Sequence, residues 1–375
     1  MSDRPPFDKP PGGVPVQHRP AKGRGALSQL QHRFSTDQRE PFDDGWAAAE
    51  PAEPGSADEP PPLRTQVTLE SARSILGSND SPDIYFDRSI NPYRGCEHGC
   101  IYCYARPTHS YLNLSPGLDF ETRLFAKRNA AELLRHELAR PGYVPSMINI
   151  GSATDCYQPV ERELKLTRAL IEVLLEARHP FSLVTKSATV ERDLDLLAEA
   201  ARLRLVAVYV TITTLDGALA RRLEPRAAAP QRRLRTIAAL HAAGVPVGVS
   251  TAPIIPFLNE DFEQVLQAAQ AAGARNAFYT VLRLPWELSA LFREWLQQHY
   301  PQRAERVMAR IAEMRGGKDY DSNFATRMKG SGPWAALIAQ RFDKACSRLG
   351  LNRERTVLDL TQFRAHAALG QKDLF

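Results

Sequence analysis

The sequence predicts an α/β fold, a partial (β/α)6 TIM-like barrel with a mobile N-terminal leader and a helical C-terminal cap. Three observations predict it. From about residue 82, short β-rich runs alternate with long amphipathic ones. The β-rich runs are nearly continuous in apolar residues, as a parallel sheet covered by helices on its faces requires. About six β/α units fit between residues 81 and 300, short of a complete TIM barrel. No G-x-G-x-x-G follows any of these strands, which removes a dinucleotide-binding sheet as the rival wiring.

The elements follow in order. Tyr85 and Phe86 open a strand that leads into a cysteine-rich loop. Residues 120–126 read as extended and 129–139 as a helix. Strands are expected over 146–150, 181–185, 205–213, 245–255 and 276–282. Helices are expected over 161–177, 190–203, 231–243, 260–272 and 288–298. Beyond residue 300 the pattern is mostly helical, over 303–314 and 334–349, and reads as a cap (301–370) packed on the barrel.

The leader, residues 1–80, has a different character. Twelve of the 28 prolines lie in its first 62 residues, so most of it cannot bury enough apolar surface to offset the entropy of ordering. It is expected to be largely disordered, with two candidate docking patches. One is Ala26 to Leu30 with Phe34; the other surrounds Phe42 and Trp46.

Composition narrows the class further. No window approaches the run of apolar residues that a membrane helix needs, and residues 1–20 have no apolar core of a signal peptide. The net charge of +5, from 48 basic and 43 acidic residues, neither requires nor opposes a nucleic-acid partner. Five cysteines are too few for a disulfide scaffold, so a reducing, cytoplasmic setting is expected.

Three of those cysteines sit in Asn91-Pro92-Tyr93-Arg94-Gly95-Cys96-Glu97-His98-Gly99-Cys100-Ile101-Tyr102-Cys103-Tyr104, with C-x3-C-x2-C spacing. Three thiolates on one tight loop can cap three irons of a [4Fe–4S] cube, leaving the remaining iron without a protein ligand. Gly95 and Gly99 suit a loop that wraps closely round such a cluster. Zinc is the alternative; it wants a further ligand, His98 or His109, and the spacing is not that of common structural zinc sites. Three structural cysteines without metal are the remaining reading.

The motif, with an aromatic (Tyr102) before its last cysteine and a place after the first barrel strand, resembles the radical S-adenosylmethionine superfamily. More narrowly, the chain resembles the spore photoproduct lyase-like, DNA-repair-photolyase-related branch, and within it the string Ser89 to Cys100 is similar to a bacterial family. The resemblance implies a [4Fe–4S] cluster on Cys96, Cys100 and Cys103 and a bound S-adenosyl-L-methionine. Reduction of the cluster would cleave the sulfonium bond, and the resulting 5′-deoxyadenosyl radical would abstract hydrogen from a substrate. It implies a reducing electron donor such as a flavodoxin or ferredoxin, and DNA, damaged DNA above all, as substrate. RNA or protein modification is the rival substrate class. A non-catalytic, metal-stabilised module that binds nucleic acid or a clamp is the rival function.

The other candidate residues fall at strand ends. After the second barrel strand come Ser152, Thr154 and Asp155. The resemblance puts the first two near the methionine moiety, while Asp155 either meets its amino group or caps a helix. Lys186 ends the third strand, where a lysine is a good carboxylate partner; the resemblance puts it on the methionine carboxylate. Thr211 and Thr213 end the fourth. Glu224 either meets the cofactor or pairs with Arg226 or Arg222. Pro253, Pro256 and Asn259 shape the loop after the fifth. In the lyase branch a cysteine near this region returns a hydrogen atom to product. The local match puts Ser152 there, with Cys156 four residues on as a candidate donor. Tyr102 is a candidate for both the chemistry and the cofactor site, and Cys346 reads as structural.

Partner signals are two. Arginines at 221, 222, 226, 232, 233 and 235, with Arg315, Lys318, Arg327 and Lys329 in the cap, are candidates for phosphate contact. The final residues Gln371, Lys372, Asp373, Leu374 and Phe375 resemble the Q-x-x-L-F peptide that docks repair and replication proteins on the bacterial sliding clamp. Leu374 and Phe375 would fill its apolar pocket.

Overall fold

The computed structural model describes residues 21–35 and 63–365. Among these residues ten strands, named in chain order, make two sheets: β1 (Gln66–Glu70), β2 (Leu76–Ser78), β3 (Arg88–Ile90), β4 (Tyr93–Arg94), β5 (Arg123–Lys127), β6 (Ile148–Ile150), β7 (Phe181–Thr185), β8 (Val206–Thr211), β9 (Val247–Ser250) and β10 (Asn276–Phe278). The larger sheet runs β10-β9-β8-β7-β6-β3-β2. Six of its strands, β3 and β6 to β10, pair in parallel, and β2 adds an antiparallel edge. Among the described residues β3 and β10 do not pair, so the barrel is open along one side.

Strand pleating sends alternate side chains to opposite faces. Ile90, Ile150, Phe181, Leu183, Val208 and Val249 point to one face and join a single apolar core. That core is completed by the helices Ala130–Leu138, Leu166–Glu176, Leu194–Arg202, Pro230–Ala242 and Phe262–Ala271, each presenting a leucine or valine stripe. The alternate positions carry Ser89, Asn149, Ser182, Tyr209, Thr211 and Ser250, and none belongs to that core. In a closed barrel the inner face is filled by branched apolar side chains; here polar side chains predominate, with Val184, Ala207 and Phe278 among them. Asn149 Nδ2 donates to Ser182 Oγ at 3.0 Å and to Tyr85 Oη at 3.3 Å across this face.

Several local expectations change. The leader is not free throughout: Ala26 and Leu27 are buried, and β1 pairs in parallel with β5, which also pairs with β4 in the smaller sheet. The second candidate patch, around Phe42 and Trp46, lies outside the described residues. Residues 118–122 are a helical turn rather than extended, because Asp119 accepts the Ser115 amide at 2.9 Å and Glu121 turns inward. The strand expected from Tyr85 begins at Arg88. The helix expected over 161–177 breaks at Lys165, which takes φ +51°. Glu161 is buried there and accepts the Thr167 amide at 3.1 Å, capping the second piece from within.

The cap also divides. Helix Pro301–Glu313 packs against Leu288–His299 and shares an apolar cluster with Ala26, Ile101 and Tyr102. Helix Gly332–Leu349 instead packs on Phe262–Ala271, with Phe342 in the main core and Arg341 paired to Glu263 at 2.7 Å.

Candidate active site: the cysteine loop and its mount

The cysteine loop follows β3 and β4 at the C-terminal end of the parallel strands, the end at which barrel chemistry is carried. Its course is fixed by backbone bonds. The Cys96 amide donates to Phe120 O at 2.9 Å, Ile101 to Leu223 O at 3.0 Å and Cys103 to Cys100 O at 3.2 Å. Gly95 and Gly99 take φ +79° and +67°, where a side chain is strained. A Cβ on Gly95 would also stand 2.7 Å from Leu124.

Side chains that sequence reasoning missed hold the loop from beneath. Arg106, fully buried, donates through Nε to Cys100 O at 2.9 Å and through Nη2 to Gly99 O at 3.0 Å; the same Nη2 pairs with buried Glu121. Gln158 accepts the Glu97 amide at 2.9 Å and donates to Gly95 O at 3.1 Å. Nothing in the spacing of Arg106, Glu121 or Gln158 marks them; only the folded loop supplies the carbonyls they serve.

Cys96 and Cys100 are buried, Cys103 is half-buried and all three are free thiols. Cys96 and Cys103 pack with Phe120 and Ala153, and Cys100 and Cys103 pack with Tyr102. Burial pushes the Cys96 thiol well up, with Asp155 and the other two sulfurs adding to it. Burial likewise pushes Cys100 up to about 12, against the pull of Lys186. Among the described residues, no three His, Cys, Asp or Glu side chains converge as ligands of one metal ion. His109 is packed edge-on to Phe120 with Nε2 at 3.0 Å from Arg123 O, and His98 lies 3.2 Å from Asp155. A cubane binds its three sulfurs to three different irons, so they surround the cluster and do not meet at one ion. Two buried thiols and one half-buried thiol, all free, on a glycine-hinged loop fit that group.

Around them the expected site residues separate into two kinds. Lys186, just past β7, is half-buried, with its ammonium 5.8 Å from the centroid of the Tyr102 ring. Among the described residues it has no acidic partner in contact, although burial is outweighed by the fields of Cys100, Glu224 and Asp155, which raise its pKa. Ser152 receives Asn91 Nδ2 at 3.0 Å, and its carbonyl receives the Tyr104 hydroxyl. Thr154 donates to Tyr93 O at 3.3 Å. These lie beside the loop with capacity left for a ligand.

Asp155 and Glu224 are engaged by the protein itself. Asp155 accepts the Tyr157 amide at 2.9 Å, Thr185 Oγ1 at 2.8 Å and the Lys186 amide at 2.7 Å, tying the loop after β6 to the end of β7. Despite burial, His98 and these donors hold its carboxyl well below the usual range. Glu224 pairs neither with Arg226 nor with Arg222. Its partner is Arg233, one helical turn into Pro230–Ala242, and it also accepts from the Tyr102 hydroxyl and from Thr213 Oγ1 at 3.0 Å. Burial opposes its charge, but Arg233 and Lys186 hold its carboxyl below the ordinary value. Asn259 donates to Thr213 O at 2.8 Å and Pro253 O at 2.9 Å, shaping the loop after β9.

Cys156 is fully buried in the main apolar core, its thiol raised by burial. That is the covered side of the sheet, so its position gives a hydrogen-donor role no support. Cys346 is buried in the same core.

Half of the expected phosphate ligands are occupied. Arg226 pairs with Glu97 at 3.1 Å, Arg232 with Glu191, Arg233 with Glu224 and Arg327 with Asp83 at 2.6 Å. Arg315 is buried and donates to four carbonyls. A cleft of about 430 Å³ nevertheless opens beside the loop, lined by His98, Arg162, Ser187, Thr189, Arg226 and Arg232. At the open side of the barrel Tyr104, half-exposed, lies under Arg283 at 5.3 Å. The expected clamp-binding residues 371–375 lie outside the described residues. Among the described residues, no helix is long and apolar enough to cross a membrane.

Residues 90–269 match the family described as the Radical SAM superfamily. An uncharacterized protein of Mycobacterium tuberculosis is 39% identical over 224 residues, which cover 59% of this chain and 66% of the relative. One from Methanocaldococcus jannaschii is 28% identical over 223 residues, 60% of this chain and 80% of the relative. The chain thus spans just under two thirds of its mycobacterial relative. Among solved structures, a cysteine-to-serine mutant of spore photoproduct lyase aligns with a TM-score of 0.49 and 16% identity, covering 76% of this chain and 78% of that one.

Proposed function

We propose that this chain, whose residues 90–269 match the Radical SAM superfamily, is a radical SAM enzyme that abstracts hydrogen from a nucleic-acid substrate, with damaged DNA foremost. The observation that carries the reading is the buried loop of three free thiols at the mouth of an open barrel whose inner face is mainly polar. Cys96, Cys100 and Cys103 would hold a [4Fe–4S] cluster, which with bound S-adenosylmethionine supplies an electron to the sulfonium and so a 5′-deoxyadenosyl radical.

The chain's own residues bind, orient and shield. Among the described residues Lys186 carries an ammonium with no acid in contact, so it is the group available to a ligand carboxylate. Ser152 and Thr154 lie beside the loop, where their hydroxyl oxygens can accept from the same ligand. Tyr102 forms a wall whose hydroxyl is fixed by Glu224, and Glu224 is fixed by Arg233 and Thr213. Glu224 and Thr213 thus act on the cofactor site through Tyr102, and Asp155 acts through the Lys186 amide. The polar face formed by Asn149, Ser182 and Tyr209 offers donors and acceptors to a polar substrate, and the half-exposed Tyr104 beside Arg283 can stack a base at the open side. Arg162 and the cleft beside His98 supply positive charge for a phosphate. An outside reductant is required, and an acidic flavodoxin or ferredoxin fits that basic rim.

The test is anaerobic turnover. The reduced protein is expected to form 5′-deoxyadenosine from S-adenosylmethionine, and deuterium from a labelled damaged oligonucleotide is expected to enter it. Deuterium from RNA or protein substrates alone would reassign the substrate. A protein that forms no 5′-deoxyadenosine would instead favour the non-catalytic module.

A further inference from the structure

Residues 21–35 cross directly over the cysteine loop, and the contacts are those of a built part. The Gly25 and Ala26 amides both donate to the Glu121 carboxylate, at 2.9 and 2.8 Å. That carboxylate is the one that pairs with Arg106, whose guanidinium holds the Gly99 and Cys100 carbonyls. Arg24 donates through Nη1 to Glu121 O at 2.8 Å. Its Nη2 reaches Leu63 O at 2.6 Å and Thr65 Oγ1 at 3.0 Å, and Thr65 in turn donates to Glu97 Oε1 at 2.6 Å within the loop. Arg24, Ala26, Glu121 and Arg106 are all buried.

The crossing has no room to spare. A Cβ on Gly25 would stand 1.8 Å from Gly99 O, and one on Gly117 would stand 2.1 Å from Ser28 O. Farther along, Arg33 lies over the rings of Phe34 and Trp286 at 4.5 Å each and pairs with Glu287 at 2.9 Å. The strap is therefore anchored on both sides of the loop.

We infer that Arg24, Gly25 and Ala26 are positioning residues of the cluster site: the strap completes the coordination of Glu121, thereby fixing Arg106 and the loop carbonyls, and covers the loop from solvent. The inference rests on the reading that the three cysteines hold a cluster. It gives a use to a proline-rich leader that composition alone assigns to disorder.

The test compares wild type, Gly25→Ala, Arg24→Met and Gly217→Ala, the last at a glycine with open space around it. Each protein is reconstituted anaerobically and its iron and sulfide are counted. The visible absorbance is then followed in air, and the electron paramagnetic resonance spectrum of the reduced state is recorded. Thermal unfolding of the iron-free proteins checks the fold. Gly25→Ala and Arg24→Met are expected to load iron but lose it in air about tenfold faster or more, the scale of one lost charge-assisted bond, with altered g-values. Gly217→Ala is expected to match wild type. Wild-type decay and g-values in both strap variants would overturn the inference. Unfolding of Gly25→Ala leaves Arg24→Met, which keeps the glycine crossing, to decide. Failure of the wild-type protein to load iron would instead overturn the cluster reading itself.

Discussion

Arg233→Met tests the inner support of the site, and its cost follows from the contacts it removes. Arg233 is 1% exposed; it pairs with Glu224 and donates to Ala228 O at 2.6 Å and Thr211 O at 2.9 Å. Methionine keeps most of the volume, so the loss is electrostatic and not a cavity. Breaking a buried pair by removing one partner costs about 3–5 kcal/mol, because the charge left behind is uncompensated. Glu224 retains the Tyr102 and Thr213 hydroxyls, with Lys186 nearby, so the lower half of that range, about 3–4 kcal/mol, is expected. Urea unfolding of the iron-free protein reads this directly. The double variant Arg233→Met/Glu224→Gln, which removes both charges, is expected to recover about half of the loss. A loss below about 1 kcal/mol in the single variant, as for an exposed pair, would refute the reasoning.

Other expectations follow from the same geometry. Lys186→Met is expected to weaken S-adenosylmethionine binding by about 10- to 100-fold, the worth of a charge-assisted bond, in anaerobic equilibrium titration; unchanged affinity would remove Lys186 from the site. Cys156→Ala is expected to keep 5′-deoxyadenosine formation and the product pattern while costing roughly 1–2 kcal/mol of stability; a changed product would restore it as a hydrogen donor. His109 and His179 are fully buried, and burial holds both near pKa about 4, so they stay neutral in the fold while the unfolded chain titrates at its ordinary value. Between about pH 6.5 and 4 only the unfolded state takes up these protons, so stability falls as pH drops through that window, by about 3 kcal/mol for each histidine at most, and levels off below it. Urea midpoints for His109→Gln and His179→Gln should fall less steeply over that window than wild type; parallel slopes would contradict the assignment.

What was legible in the chain was what depends on local pattern. The apolar runs of β7 and β8 and the stripes of the helices that cover them are set by burial on both sides of the sheet, so periodicity found them. The cysteine spacing was legible because the loop's chemistry is carried by neighbouring residues. What escaped was pairing at a distance. Glu224 has arginines two residues either side of it in sequence, yet the fold selects Arg233, because the helix Pro230–Ala242 aims that side chain back at Thr211 and Tyr102. The strap escaped because its stability comes from Glu121, 95 residues from Ala26, and no composition window sees both. The polar inner face was hidden because Ser89, Asn149 and Ser182 interrupt apolar runs one residue at a time, a pattern that has meaning only once the strands stand side by side.

The most direct measurement is electron paramagnetic resonance of the anaerobically reduced protein before and after S-adenosylmethionine is added. A [4Fe–4S] signal whose g-values shift on addition, and which is lost in Cys96→Ala, Cys100→Ala and Cys103→Ala, is the expected result. A colourless protein carrying zinc, or a cluster signal indifferent to S-adenosylmethionine, would contradict three cysteines holding a cubane with one iron open.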